Sequence, residues 1–392
     1  MKIIVFSFGE AKNPRTWSNV PSNVVKELEK EGHDVSCVDV YRGSRLLEFL
    51  WRRCNSFSRL LFGKDTLVLL ELLPFMKKYY DHLVRRAVKQ YPNPEVLLFF
   101  TYCFGGEIQN VNSILFCDFT VDYLLKKRLK RNANWLEKRI ISHQDEVIKR
   151  ATKVVSLFPE AAEYYQSYYK TSNIYTIPGH ILNCDWRISD YSQIIKNKYS
   201  SNLLVFIGRK SYIDGAKCLI RTVLDYNNHH EKQFKLLIIG VTKSDLKMAI
   251  PVEAQIDCIG FLNKSIKNEN DRFYRSIENA KIVINTTKKW AGISSMVEAM
   301  YLYTPVITTK YEEFQAIFGD NIDFGLYCKA EDDLELAKSI EKLEKMDYSA
   351  YEKMCLCGHN SVKDFSWENV TKVLLPKASN VIKDAIYTKV ES

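Results

Sequence analysis

Lys281–Lys310 reads KIVINTTKKWAGISSMVEAMYLYTPVITTK. Ile282, Val283 and Ile284 predict a buried strand; a polar loop follows, a helix opens near Ser294, and Pro305–Thr308 predicts a second strand. The helix carries one carboxylate, Glu298, inside the apolar setting MVEAM. A carboxylate buried there without a partner is costly, so the setting calls for one. In an open α/β sheet, ligands bind beyond the carboxyl ends of the strands, where helix N-termini offer unpaired N–H groups to anions. On such a helix a carboxylate can accept two hydrogen bonds from the vicinal hydroxyls of a ribose. The stretch predicts a nucleotide site, and with it an enzyme; a salt-bridged surface glutamate is the other role open to Glu298.

Working outward, the same alternation recurs. Upstream lie predicted strands 202–207, 234–239 and 256–259, with helices 216–227 and 268–277 between them. The first half repeats the pattern, with strands predicted at 2–6, 35–40, 95–101, 113–116, 153–157 and 174–177. A helix predicted over 22–31 is stopped by Gly32. Strand–helix–strand units of this kind predict parallel, doubly wound sheets with right-handed crossovers. The fold class is therefore α/β, with two Rossmann-like domains facing across a cleft. Residues 1–183 form the first domain, with 41–92 as a helical insertion. A polar passage, 184–201, is the expected linker. Residues 202–365 form the second domain, and 366–392 a C-terminal helix crossing back to the first.

Composition narrows the class. The chain has 392 residues, 46% hydrophobic and 26% charged, with 15 Gly and 10 Pro and no low-complexity tract. That is the make-up of an ordinary globular protein with room for two domains. A formal net charge of +9 suits partners with phosphates or anionic head groups. No zinc-finger spacing or aromatic–basic signature points to nucleic acid. The ten cysteines show no metal-ligand spacing and suit reduced thiols in the cytoplasm. MKIIVFSFG reads as a first strand, and Leu67–Met76, broken by Glu71, is about half the length a bilayer needs. Arg45, Arg52, Arg53 and Arg59 interleave with Phe49, Trp51, Phe57, Leu60 and Leu61, a basic amphipathic stretch. It reads either as a helical cover for the sheet or as a peripheral contact with the anionic inner face of a membrane.

The chemistry-bearing residues sit at predicted strand ends. After strand 202–207, Gly208 permits a tight exit that places Arg209 and Lys210 where they can pair with a diphosphate. A solvated basic turn is the alternative. Asn285, Thr286 and Thr287 leave the next strand toward the same crevice. Gly292, Ile293, Ser294 and Ser295 lead into the Glu298 helix, whose first N–H groups can hold a phosphate. In the first half, Gly9 ends the first strand. Asp118, in FCDFT, is a carboxylate at a strand tip, placed to accept a proton or a hydrogen bond; a helix N-cap is its other role.

The order Gly208-Arg209, Ile238-Ile239-Gly240, Gly260-Phe261, then AKIVIN and EAM-x4-PVI resembles the retaining glycosyltransferases of the GT-B fold, family 4 (group 1) type. The resemblance is strong over 202–373 and looser over the N-terminal half. It implies that Glu298 holds the donor ribose and that Arg209 binds the diphosphate and acts in catalysis with Asp118. It implies that Thr16, Trp17 and Ser18 close over the reaction centre from the acceptor side. It places Asp118, with Gly9, against the transferred sugar or acceptor, and His180, in Pro178-Gly179-His180, toward the cleft. Two departures stand out. Trp290 occupies the place of a further family Glu near the donor sugar, and Asp214 replaces a phosphate-binding Lys before Gly215, a charge that Lys210 or Lys217 could supply. No Asp-x-Asp pair appears, and no metal or other cofactor is expected. The co-substrate is a nucleotide diphosphate sugar, UDP- or GDP-linked, and the acceptor a saccharide or lipid-linked saccharide in surface polysaccharide or glycoconjugate assembly. A sugar-nucleotide epimerase or hydrolase, or an inactive nucleotide-sugar-binding relative, would fit the same site.

Overall fold

A computed structural model describes residues 1–40, 49, 53, 56–57, 60–61, 63, 66–67, 72, 74–106, 108–288 and 292–375. The chain divides into two compact units, Met1–Pro178 with the segment from Trp367, and Gly179–Ser366.

The first unit is built on six strands: β1 (Lys2–Ser7), β2 (Asp34–Asp39), β3 (Val96–Phe99), β4 (Asn112–Cys117), β5 (Lys153–Ser156) and β6 (Ile174–Thr176). They pair in parallel in the order β2-β1-β3-β4-β5-β6. Ile3 to Phe6 and Val96 to Phe99 are buried at every position, as expected where helices cover both faces of a parallel sheet. The helix Val20–Lys30 begins two residues earlier than expected, with Pro21 in its first turn, where a missing N–H costs nothing. Helix Trp367–Leu374 packs on it within this unit, and Thr371 Oγ1 donates to Glu31 Oε1 at 2.8 Å.

The second unit repeats the plan with β7 (Leu203–Ile207), β8 (Lys235–Ile239), β9 (Ile256–Gly260), β10 (Ile282–Asn285), β11 (Val306–Thr309) and β12 (Gly325–Cys328). All pairs are parallel, in the order β12-β11-β10-β7-β8-β9. Two doubly wound α/β sheets are therefore present, as the alternation predicts.

The boundaries differ from the sequence reading. The division falls at Pro178–Gly179, and residues expected as a linker belong to the second unit. Tyr191–Ser200 is a helix with Ile194, Ile195 and Lys198 buried. The unexpected feature is the lysine: Lys198 is fully buried, and its ammonium donates to Ile277 O at 2.8 Å and Thr304 Oγ1 at 2.7 Å. A polar letter on the core face hid the helical period. Within the predicted insertion, Pro74–Gln90 is a helix. Arg45, Trp51, Arg52 and Arg59 lie outside the described residues, as do Trp290 and positions 376–392.

Candidate functional site

The second sheet reverses its winding between β7 and β10, the point at which a doubly wound sheet opens a ligand crevice beyond its strand ends. Close backbone packing shapes that edge. Gly240 has φ +97°, and a Cβ there would lie 2.3 Å from the Gly208 carbonyl oxygen. Glycine alone lets the β7 and β8 exits meet backbone to backbone. Arg209 follows, exposed and extended at φ −80°, ψ 176°. Lys210 is ion-paired at 2.6 Å with Asp245. That lysine and the Thr242 donors hold the Asp245 carboxyl down at about 2. Of the two cations expected at a diphosphate, Arg209 is the one without an ion pair among the described residues.

Asn285 ends β10 and is fully buried. Its Nδ2 donates to Ile207 O at 3.0 Å, and its Oδ1 accepts from the Thr287 N–H at 3.2 Å and hydroxyl at 2.6 Å. Asn285 ties the two strand exits together instead of reaching toward a ligand, and Thr286 beside it is 1% exposed. Gly292 then takes φ +66° as N-cap of the helix Ile293–Tyr301. A Cβ there would lie 2.7 Å from Ser295 Oγ and 3.4 Å from Asn285 Nδ2. The helix thus starts directly over the β10 exit. The Ser295 hydroxyl turns back to donate to Gly292 O at 2.7 Å. Ile293 is buried, whereas Ser294 is exposed at the first turn.

His180 packs behind that turn. Its Nε2 is hydrogen-bonded to Ser294 Oγ at 3.1 Å, and burial pushes the ring down to about 4. The imidazole is neutral at neutral pH. The structure thus joins His180 to the helix bearing Glu298.

Glu298 is 4% exposed. Its Oε1 is ion-paired with Lys264, in the loop after β9. Burial raises its carboxyl above the ordinary range, and Lys264 opposes that rise. The Lys264 ammonium also lies 4.6 Å from the Phe273 ring centre and 5.0 Å from that of Tyr274. A carboxylate inside an apolar helix has found its partner 34 positions away in sequence.

The other candidates cluster in the first unit. Gly9 has φ +98° and donates its N–H to Asp39 Oδ1 at 3.0 Å. Thr16 Oγ1 donates to Glu10 O at 2.7 Å. Trp17, Ser18 and Asn19 all have positive φ, 38°, 54° and 73°. Three successive non-glycine residues in that region store strain, on the order of 1–3 kcal/mol each. Trp17 is clamped edge-on against Phe100 and Phe116, at 6.0 and 5.8 Å between ring centres. Asp118 is half-buried just beyond β4, and its Oδ1 accepts from the Phe119 N–H at 3.1 Å and the Cys117 thiol at 3.2 Å. Thr120, not Asp118, caps the next helical turn, accepting from the Tyr123 N–H.

Residues 188–355 match the family glycosyl transferases group 1. That stretch covers β7 to β12 of the second unit. No curated protein sequence matches the chain. Among solved structures, sucrose-phosphate synthase from Thermosynechococcus elongatus superposes with a TM-score of 0.61 at 14% identity, covering 95% of this chain and 97% of that one. WaaG, a glycosyltransferase involved in lipopolysaccharide biosynthesis, gives 0.59 at 12% identity, over 96% and 100%. HepE from Anabaena, solved with UDP and glucose, gives 0.56 at 13% identity, over 95% and 98%. Two units, each a six-stranded parallel sheet with flanking helices, are the architecture of the GT-B glycosyltransferases.

Within the second unit, sequence reasoning found the helix and Glu298 but missed Lys264. Its only signal was a lysine shortly after the predicted strand end Gly260-Phe261. Among the described residues no three His, Cys, Asp or Glu side chains gather as metal ligands. No described helix is long and apolar enough to cross a membrane.

Proposed function

We propose that this glycosyltransferase moves a sugar from a nucleoside diphosphate donor to a hydroxyl of a saccharide or lipid-linked saccharide, with retention at the anomeric carbon and without a metal. The observation that carries the reading is Glu298, a nearly buried carboxylate on the helix that starts at the winding reversal of the second sheet. It accepts hydrogen bonds from the donor ribose. Arg209 and the N–H groups that open the Ile293–Tyr301 helix meet the diphosphate. As the bond from the anomeric carbon to the diphosphate breaks, negative charge grows on the leaving oxygen, and fixed donors stabilise it there. The acceptor hydroxyl forms the new bond and gives up its proton, for which Asp118 is the candidate acceptor. Thr16, Trp17 and Ser18 contact the acceptor side, where a strained loop is common in functional sites.

The structural relatives support this class of ligand: HepE was solved in complex with UDP and glucose, and WaaG is involved in lipopolysaccharide biosynthesis. The reading puts the protein in the cytoplasm, at the inner face of the membrane. Phe49, Phe57, Leu60 and Leu61 are exposed, and the Arg53 guanidinium lies 5.3 Å from the Phe49 ring centre, a pairing suited to an anionic lipid surface. The test is a thermal-shift panel of nucleotide sugars, followed by NMR of the best binder with and without saccharide acceptors. Glycosylated acceptor supports transfer. Free sugar or an epimer formed from donor alone replaces transfer with hydrolysis or epimerisation, and binding with no turnover marks an inactive relative.

A further inference from the structure

The Lys264 ammonium is held by acceptors of the protein, although its side chain is partly exposed. Its three protons face three acceptors: Glu298 Oε1, Tyr274 Oη at 3.2 Å and the Asn183 carbonyl oxygen at 3.5 Å. Tyr274 is itself fixed, donating to Asn183 O at 2.7 Å, and the Phe273 and Tyr274 rings flank the cation. The side chain of Glu298 is 5% exposed and that of Lys264 36%. Glu298 Oε2 accepts no hydrogen bond from the described residues. One carboxylate oxygen is thus committed to the lysine, and the other is left for a ligand.

We infer that Lys264 is a positioning residue that keeps Glu298 ionised, and so able to grip a diol, without touching the nucleotide itself. The inference rests on the reading of Glu298 as the ribose-binding group. An ionised carboxylate accepts hydrogen bonds roughly twice as strong as those to a neutral group. Burial opposes ionisation, and Asp185 acts in the same direction as burial. Cys184 and Tyr274, the other titratable groups facing this carboxylate, are pushed up by burial and stay neutral near neutral pH. Lys264 is thus the cation that offsets them.

UDP and GDP titrations from about pH 5.5 to about pH 8.5 test it, because removing a paired cation raises a buried carboxyl. In Lys264→Met the acid midpoint for binding should move up by about one pH unit or more, with affinity at high pH returning to within about threefold of wild type. Lys264→Arg should keep the wild-type midpoint. Lys264→Gln serves as a second neutral variant, and unliganded melting curves check that each variant folds. An unmoved midpoint overturns the inference, and so does a loss of affinity that is uniform with pH, which would mark direct contact. Glu298→Gln separates the two levels. If it binds like wild type, the ribose reading fails; if it binds weakly at every pH while Lys264→Met shows no pH shift, only the role of Lys264 fails.

Discussion

His180 Nε2 lies 3.1 Å from the Ser294 hydroxyl, so a buried imidazole braces the first turn of the helix that carries Glu298. The ring's value falls from 6.5 to about 4 on folding because burial disfavours its charged form. The unfolded chain therefore binds the proton more readily. The contribution is fully present above 6.5 and is lost as pH falls from 6.5 toward 4. His180→Gln should abolish roughly 3 kcal/mol of the acid destabilisation seen in wild type over that window. Urea unfolding of both proteins at several pH values measures the difference.

Lys198 gives a second, opposite-lying window. Its value drops from 10.5 to about 7, through burial. The unfolded chain again holds the extra proton, so stability should climb from about pH 7 to pH 10, by up to about 1.4 kcal/mol per pH unit. Lys198→Met should flatten this slope and match or exceed wild-type stability at pH 7, since a neutral side chain carries no desolvation cost there. Parallel slopes in both proteins would contradict the account.

Two glycines with positive φ should respond differently to Ala. At Gly240 a Cβ meets the Gly208 carbonyl oxygen at 2.3 Å, whereas at Gly319, with φ +81°, nothing lies within 4 Å. Gly240→Ala should cost on the order of 2–4 kcal/mol or prevent folding, and Gly319→Ala about 1 kcal/mol. Denaturant midpoints report both.

Arg209 and Lys210 should separate as well. Arg209→Ala should weaken UDP or GDP binding by about tenfold or more while leaving the nucleoside alone unaffected. Lys210→Ala should do less, because that side chain is 76% exposed and already paired with Asp245. Calorimetric titration with nucleoside and nucleoside diphosphate distinguishes them.

What the sequence showed followed from what each side chain had to satisfy locally. The strand runs were legible because parallel strands are apolar along their whole length, as at Val96–Phe99 and Ile282–Ile284. The burial of Glu298 was legible in MVEAM, since its sequence neighbours on both sides are apolar. Its partner was not, because nothing in spacing relates positions 264 and 298. The helix Tyr191–Ser200 was masked by Lys198, a charged letter satisfied by a carbonyl and a hydroxyl that only the fold brings near. β12 was missed because GLYC is four residues long and half-buried at its centre. Asn285 was legible as a strand-end amide, but its use as a tie between β7 and β10 depends on the Ile207 carbonyl.

The ribose assignment of Glu298 is tested most directly by comparing UDP or GDP with its 2′,3′-dideoxy analogue on wild type and Glu298→Ala. Wild type should prefer the ribonucleotide by about ten- to a hundredfold, and the variant should bind the two within about twofold, since the preference is worth a pair of charge-assisted hydrogen bonds. A variant that folds normally and still discriminates as wild type does would contradict the assignment.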